Sequence, residues 1–572
     1  MARTSVCGSI TALVALSLVG PAGCGDGEGA SAPAQAPARN PLTIVRATPG
    51  VSASTVLAVH ACAGLLNRVA GGSVFVEREA HDAGWVAELG LVAHETLDEA
   101  DFLSRCVARV GRCVRYNYQQ QQALLPSVLT LAAAEGAVPL DEAASPGCTA
   151  PVVDAVDVFA DKPTPLAATR YVFDTYGPRT TGLAMLSPGY DRAPADPARP
   201  ALTSDMGPAL VDLVFSERLF ALYLVNGCVK DDPERALLSD IVNAGRWPSP
   251  VAVYGYNSTW NVLGGYLYEA QTRCLDSRNM GAIASEAGNL SYYSTVGAPI
   301  TGPGVVQQNP PETTQYDPNK NYAAFFVGDG DNLAYMLSAR RDWFRQRLAD
   351  CAADPACPPL TWTISPHLAR LAPDVLRWYY DRSHETKRDY FALPPSGHLY
   401  AYPSSLAPAD QDRFAAATEA DARVLGVAGV VHWEWFDSWR DAEEIFLPKY
   451  GRQVRGVFPT NVPYKGIAFP WWPKEQLFEV IAGAGGALVV VFKPREWRGV
   501  NDDSDPFFHG PQKMADELAA LPRGSVTWVY MTSDGGLTLE NSFAAMAKLL
   551  PSHVELVSAD TATRLALAAS GR

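Results

Sequence analysis

The sequence predicts an α/β protein whose C-terminal part is a (β/α)8-like, irregular barrel, preceded by a mixed α/β N-terminal domain. Beyond residue 321, short apolar β-rich runs alternate with amphipathic or charged segments, the rhythm of βα units around a parallel sheet. Between Leu42 and Tyr293, helical and strand-like patterns mix with no fixed period. The stretch from Gly297 to Asn321 holds Pro-Ile-Thr-Gly-Pro-Gly, Gln-Gln-Asn-Pro-Pro and Asp-Pro-Asn, and sustains neither a helix nor a central strand. The expected order is therefore an N-terminal α/β domain over 41–300, a linker over 301–320 and the barrel over 321–572.

Ahead of these, Arg3 precedes an apolar run from Ile10 to Val19 and then Gly20-Pro21-Ala22-Gly23-Cys24, the anatomy of a signal peptide over 1–24. The run is shorter than the roughly 20 apolar residues that span a bilayer. Ala22 and Gly23 before Cys24 resemble a bacterial lipobox, which makes Cys24 the expected lipidation site; ordinary secretion with cleavage near Ala22 or Gly23 is the alternative. Gly25 to Asn40 has the composition of a flexible tether. Both readings give an exported protein, and the first anchors it to a membrane only by its N-terminal lipid.

Within the N-terminal domain, Val56–Val69 is helical in period, Ser73–Val76 a short strand, Gln121–Ala134 a helix, Pro208–Val225 a helix with its proline in the first turn, and Val251–Tyr254 a strand. Ser187–Ser204 is a proline-rich excursion. In the C-terminal part eight runs are expected as strands: Ala323–Val327, Leu360–Ile364, Tyr390–Leu393, Val427–Trp433, Val454–Phe458, Ile467–Phe469, Ala487–Phe492 and Val526–Met531. The gap between the fifth and sixth is too short for a full helix, so the barrel is irregular or has seven proper strands.

Of the ten cysteines, eight remain after Cys7 and Cys24, an even number that favours disulfides in an exported chain. Cys106/Cys113 and Cys351/Cys357 are close enough to pair locally, whereas Cys62, Cys148, Cys228 and Cys274 could join distant segments. No Cys/His spacing suggests zinc. The net charge of −15 argues against nucleic acid or anionic lipid as the main ligand. Thirteen Trp and 23 Tyr include rings suited to stacking on sugars, although most aromatics serve cores.

In parallel barrels the working residues follow the C-terminal ends of the strands. The first run ends in Asp329-Gly330-Asp331-Asn332, two carboxylates and an amide that could grip sugar hydroxyls or a divalent cation, or simply form an Asx turn. The missing twelve-residue pattern excludes an EF-hand. The fourth run ends in His432-Trp433-Glu434-Trp435-Phe436-Asp437, which sets a carboxyl between two indoles; apolar walls disfavour its charge and suit it to general-acid work, unless it merely caps the next helix. Glu496, past the seventh run, lies beside Lys493, Arg495 and Trp497. Two carboxyls in opposed environments are what glycoside hydrolysis requires. Dinucleotide, P-loop, nucleophile-elbow and His-Glu-x-x-His motifs are absent. His367, His398 and His432 sit at separate strand ends.

Gly397-His398-Leu399-Tyr400-Ala401-Tyr402-Pro403 resembles the signature of the GxGYxYP family, whose expected activity is glycoside hydrolysis, with Leu399 where the second glycine would stand. Val327–Asn332, Trp362–Pro366, Pro470-Trp471-Trp472-Pro473 and, in the N-terminal part, Ala63–Arg68 are similar to the family as well. The resemblance implies a carbohydrate substrate.

The combined expectation is a glycoside hydrolase acting on an extracytoplasmic polysaccharide or oligosaccharide. Glu434 is its general acid, Asp329, Asp331 or Glu496 its partner, and Asn332, His398, Tyr400, Tyr402, His432, Trp433, Trp435, Asp437 and Trp472 its sugar contacts. No cofactor is required beyond a cation that could sit at Asp329/Asp331. A non-catalytic carbohydrate-binding lipoprotein is the rival, and metal-dependent deacetylation, which would need a histidine beside Asp329 or Asp331, a third.

Overall fold

The computed structural model describes residues 41–144, 146–189, 202–255, 267–354, 356–461, 468–497, 510–531 and 537–572, the side chains of 267–271 and 537–540 excepted. The signal peptide, Cys24 and the tether lie outside them, as do most of the Ser187–Ser204 excursion and Thr532-Ser533-Asp534-Gly535.

Three small parallel sheets carry the first half. Leu42–Arg46 (β1), Val74–Glu77 (β2) and Ala93–Asp98 (β3) pair in the order β2-β1-β3, and Cys113–Tyr116 (β4), Val138–Asp141 (β5) and Val153–Asp154 (β6) in the order β5-β4-β6. Leu183–Met185 (β7), Phe220–Leu222 (β8), Val251–Tyr254 (β9) and Met280–Ile283 (β10) follow in the order β10-β9-β7-β8. The helix Ala53–Ala70 begins where the Ser52 hydroxyl accepts from the Thr55 N–H at 3.2 Å. Its length and apolarity suit a membrane span, but most of it is buried in the protein, as a core helix is.

Pro208–Val225 is not one helix. Helical backbone covers Val211–Glu217, Arg218 turns left-handed at φ 58°, and Leu219–Val225 is a buried apolar run containing β8. A short apolar run carries no period that separates strand from helix.

The second half contributes Asn321–Val327 (β11), Leu360–Thr363 (β12), Asp389–Ala392 (β13), Gly429–Trp433 (β14), Gly456–Thr460 (β15), Phe478–Ala482 (β16), Leu488–Phe492 (β17), Glu496–Trp497 (β18), Val526–Met531 (β19) and Val554–Val557 (β20). Strands β11 to β15 and β19 are buried throughout, which is why they read as mostly apolar runs without a strict alternation. They form two sheets, β13-β12-β11-β19-β18 with β20 beside the first half of β11, and β14-β15-β17-β16 with β16 antiparallel. The fold is thus mixed α/β with parallel sheets, and among the described residues no single closed sheet replaces them. Ala468 and Phe469 of the expected sixth strand lie outside any strand, with Phe469 at φ 55°; Ile467 is outside the described residues.

Four disulfides, Cys62–Cys106, Cys113–Cys148, Cys228–Cys274 and Cys351–Cys357, account for the eight cysteines. The local pairing of Cys106 with Cys113 does not occur. Cys106 faces the buried side of the helix Glu99–Val110 and meets Cys62 on Ala53–Ala70, while Cys113 opens β4. Such bonds are compatible with an extracellular protein. The described residues pack as one compact unit.

Candidate active site

Strand β14 ends in His432 and Trp433, and Glu434 directly after it has no exposed surface. Its Oε1 accepts from the Ser404 N–H at 3.0 Å and the Ser404 hydroxyl at 2.7 Å, and lies 3.0 Å from His432 Nε2. Its Oε2 is buried with no hydrogen-bond partner among the described residues. Facing it is Asp276, the last residue of the helix Leu267–Asp276 and also fully buried. Asp276 Oδ2 accepts from the Tyr402 N–H at 2.8 Å, while Oδ1 is without a described partner. Burial, and then the charge of Glu434, hold the Asp276 carboxyl well above the usual carboxylate range.

The loop that grips both acids is the signature stretch. Gly397 adopts φ 105°, and a Cβ there would meet Thr418 Cγ2 at 2.5 Å, so only glycine fits. The Ser396 hydroxyl lies 2.8 Å from Ala401 O and 2.9 Å from the Trp433 backbone, tying the loop to the end of β14. Leu399, where the family signature has glycine, is accommodated because the residue facing it is Gly281: a Cβ on Gly281 would come within 2.8 Å of Leu399 Cβ. Next to that contact, Ala282 and Tyr400 exchange backbone hydrogen bonds of 3.1 and 2.8 Å, joining β10 to the loop.

Tyr402 and Trp433 form an aromatic cluster apart from the main cores, with Tyr400 and Trp435 against it. Ring centroids of Tyr400 and Tyr402 lie 4.3 and 4.9 Å from Trp433, and Trp435 lies 5.8 Å from Tyr402. Asp437 is exposed and pairs with Arg273 at 3.6 Å, whose guanidinium lies 5.2 Å over Trp435. His432 touches Glu434, and Tyr400, Tyr402, Trp433 and Trp435 form one cluster at the end of the same strand.

The other expected residues are placed differently. His398 Nδ1 is 2.7 Å from Asp421, and its carbonyl lies 2.6 Å from His367 Nε2, so both rings have partners other than Glu434. Trp472 is buried, stacked on Phe469 at 4.3 Å, with its N–H donated to Glu443. Glu496 Oε1 accepts from the Asn461 N–H at 2.7 Å and pins the end of β15, while its neighbour Arg495 pairs with Glu517 at 3.0 Å.

Asp329 and Asp331 follow β11, with Asp329 in the left-handed region at φ 57°. The buried Arg340 guanidinium donates to Gly328 O and Thr363 O and supplies the counter-charge. Burial first, then Asp329, push Asp331 up to about 8, so the two acids do not both ionise at neutral pH. Asn332 caps the helix Leu333–Leu337 by accepting from the Tyr335 N–H at 3.2 Å. Among the described residues no set of three His, Cys, Asp or Glu is arranged to hold a metal.

Asp276 was not legible beforehand. Its one sign is a carboxylate at a helix C-terminus, where the macrodipole disfavours it.

The crystal structure of "a putative hydrolase from Bacteroides thetaiotaomicron VPI-5482" shares 18% identity over 92% of this chain and 94% of that one, with a TM-score of 0.69, which shows a common fold. The 4-alpha-glucanotransferase of Thermococcus litoralis is 14% identical over 43% of this chain and 40% of that one, at a TM-score of 0.29 too low to bear on either fold or activity. No curated protein matches the sequence. Residues 319–469, which hold Asp329, Asp331, the signature loop and Glu434, match the family model described as "GxGYxYP putative glycoside hydrolase C-terminal domain".

Proposed function

We propose that this protein hydrolyses glycosidic bonds in an extracytoplasmic polysaccharide or oligosaccharide, with Asp276 and Glu434 as its carboxyl pair. The observation that carries the reading is two buried acids held by one loop, each presenting an oxygen that the described residues leave unsatisfied. An unmade hydrogen bond at a buried oxygen costs about 1–3 kcal/mol, and a sugar hydroxyl or glycosidic oxygen would supply the partner. Asp276, whose protonated form is favoured by burial, donates its proton to the leaving oxygen. Glu434, its Oε1 held by donors, uses Oε2 to attack the anomeric carbon or to activate water.

The barrel form belongs to the same proposal. It is supported by the parallel bridge from Leu393 to Val430, which joins β13 to β14, and by Tyr530 N–H donating to Arg495 O at 2.7 Å, where the chain leaving β17 enters the other sheet. Residues 41–300 then form the supporting domain that lends Asp276, and 321–572 the domain that lends Glu434. Export through 1–24 and a lipid on Cys24 would hold the protein where such glycans occur.

The complete burial of both carboxyls favours a second reading, a non-catalytic carbohydrate-binding lipoprotein. Reducing-end release from a glycan panel by wild type and Glu434→Gln separates the two. Hydrolysis lost in the variant supports catalysis, whereas binding without hydrolysis in both supports the second reading.

A further inference from the structure

Beyond Glu434 the chain carries aromatic side chains outward instead of burying them. Trp435 is half-buried, Phe436 is 50% exposed with its ring 4.9 Å from Trp435, and Trp471 is 37% exposed. Trp471 is fixed on two sides: the Arg440 guanidinium lies 4.4 Å over its ring, and its indole N–H donates to Glu443 at 2.7 Å. Arg440 and Glu443, which hold Trp471, lie on the segment that leaves Glu434 through Trp435 and Phe436.

The chemistry of this row fits a carbohydrate. A fixed, exposed ring stacks on a sugar face without the entropy cost of ordering a mobile side chain. Charged groups stand among the rings: Asp437 paired with Arg273, and Arg440 with Glu444 at 3.0 Å. Cores of protein–protein interfaces are depleted of charge, whereas sugar hydroxyls use charged donors and acceptors at the ring edges.

We propose that Trp435, Phe436 and Trp471 are successive sugar-binding subsites leading away from the Asp276–Glu434 pair, so that the substrate is a chain of several sugar units. This rests on the glycosidase reading above for its direction, but its test does not need hydrolysis. The probes are xylan, laminarin, galactomannan, hydroxyethyl cellulose and soluble starch, each cast into a native gel. Wild type, Phe436→Ala and Trp471→Ala are run with melting temperature and size-exclusion volume as controls.

Wild type is expected to be retarded by at least one polysaccharide. Each substitution should weaken that retardation about five- to tenfold. Retardation lost on substitution in a protein that cleaves nothing would support the row and overturn the catalytic reading instead. Equal retardation of variants and wild type, no retardation in any gel, or a dimer that dissociates on Trp471→Ala would overturn the row.

Discussion

Asp276 and Glu434 are held by the same short loop, the first by the Tyr402 N–H and the second by the N–H and hydroxyl of Ser404. Two acids from distant parts of the chain are thereby fixed against each other, with Asp276 favoured in its protonated form. The signature motif contributes backbone donors in this arrangement more than reacting side chains.

Asp276→Asn keeps an acceptor for the Tyr402 N–H and removes a carboxyl that is disfavoured when charged. Raised in the folded state, this pKa makes the native protein bind the extra proton, so stability is lost as pH rises through the window above the ordinary Asp value. The variant is expected to melt at or above the wild-type temperature at pH 8 while losing turnover, a gain in stability at the expense of function. Calorimetry at two pH values checks the sign.

Asp331→Asn follows the same rule with a defined window. Between the ordinary Asp range and about 8 the native state holds the proton that the unfolded chain releases, so stability falls with rising pH. The substitution should flatten that limb of the melting-temperature profile. If the turn is a subsite, glycan turnover falls at the same time; unchanged turnover would leave Asp329 and Asp331 as a turn braced by Arg340.

His60 predicts the acid limb. It is buried, and burial followed by Arg78 pushes its pKa down to about 3. Below about 6.5 the unfolded chain takes up a proton that the native state refuses, so stability declines by about 1.4 kcal/mol per pH unit down to about 3. A folded His60→Leu variant should show a shallower decline in denaturant titrations between pH 6.5 and 4.5.

The Gly281–Leu399 contact predicts a coupled pair. Gly281→Ala drives a methyl into Leu399 and should cost about 1–3 kcal/mol. With Leu399→Ala in the same chain the loss should be smaller than the sum of the two single losses, because the clash disappears. Additive losses would mean that Leu399 is not set by the residue facing it.

Much of this was readable from sequence where period and burial agree. Val251–Tyr254 and Val526–Met531 are strands with the expected bounds, and Glu434 stands at the end of its strand between two indoles. The tertiary partners were not readable. Asp276 comes to Glu434 through tertiary contacts with the signature loop, and Cys106 bonds Cys62 although Cys113 is nearer in sequence. Trp471 and Trp472 are adjacent and chemically alike, yet Phe469 stacks on one and solvent reaches the other. A local pattern cannot tell them apart.

The most direct measurement is kcat/KM for Asp276→Asn on whichever glycan the wild type cleaves, with melting temperature measured alongside. A paired general acid predicts a fall of about 10²- to 10⁴-fold with the fold intact. A variant that remains folded and within about twofold of wild type, a change of less than 0.5 kcal/mol in transition-state stabilisation, would contradict the assignment of Asp276 and Glu434 as the working pair.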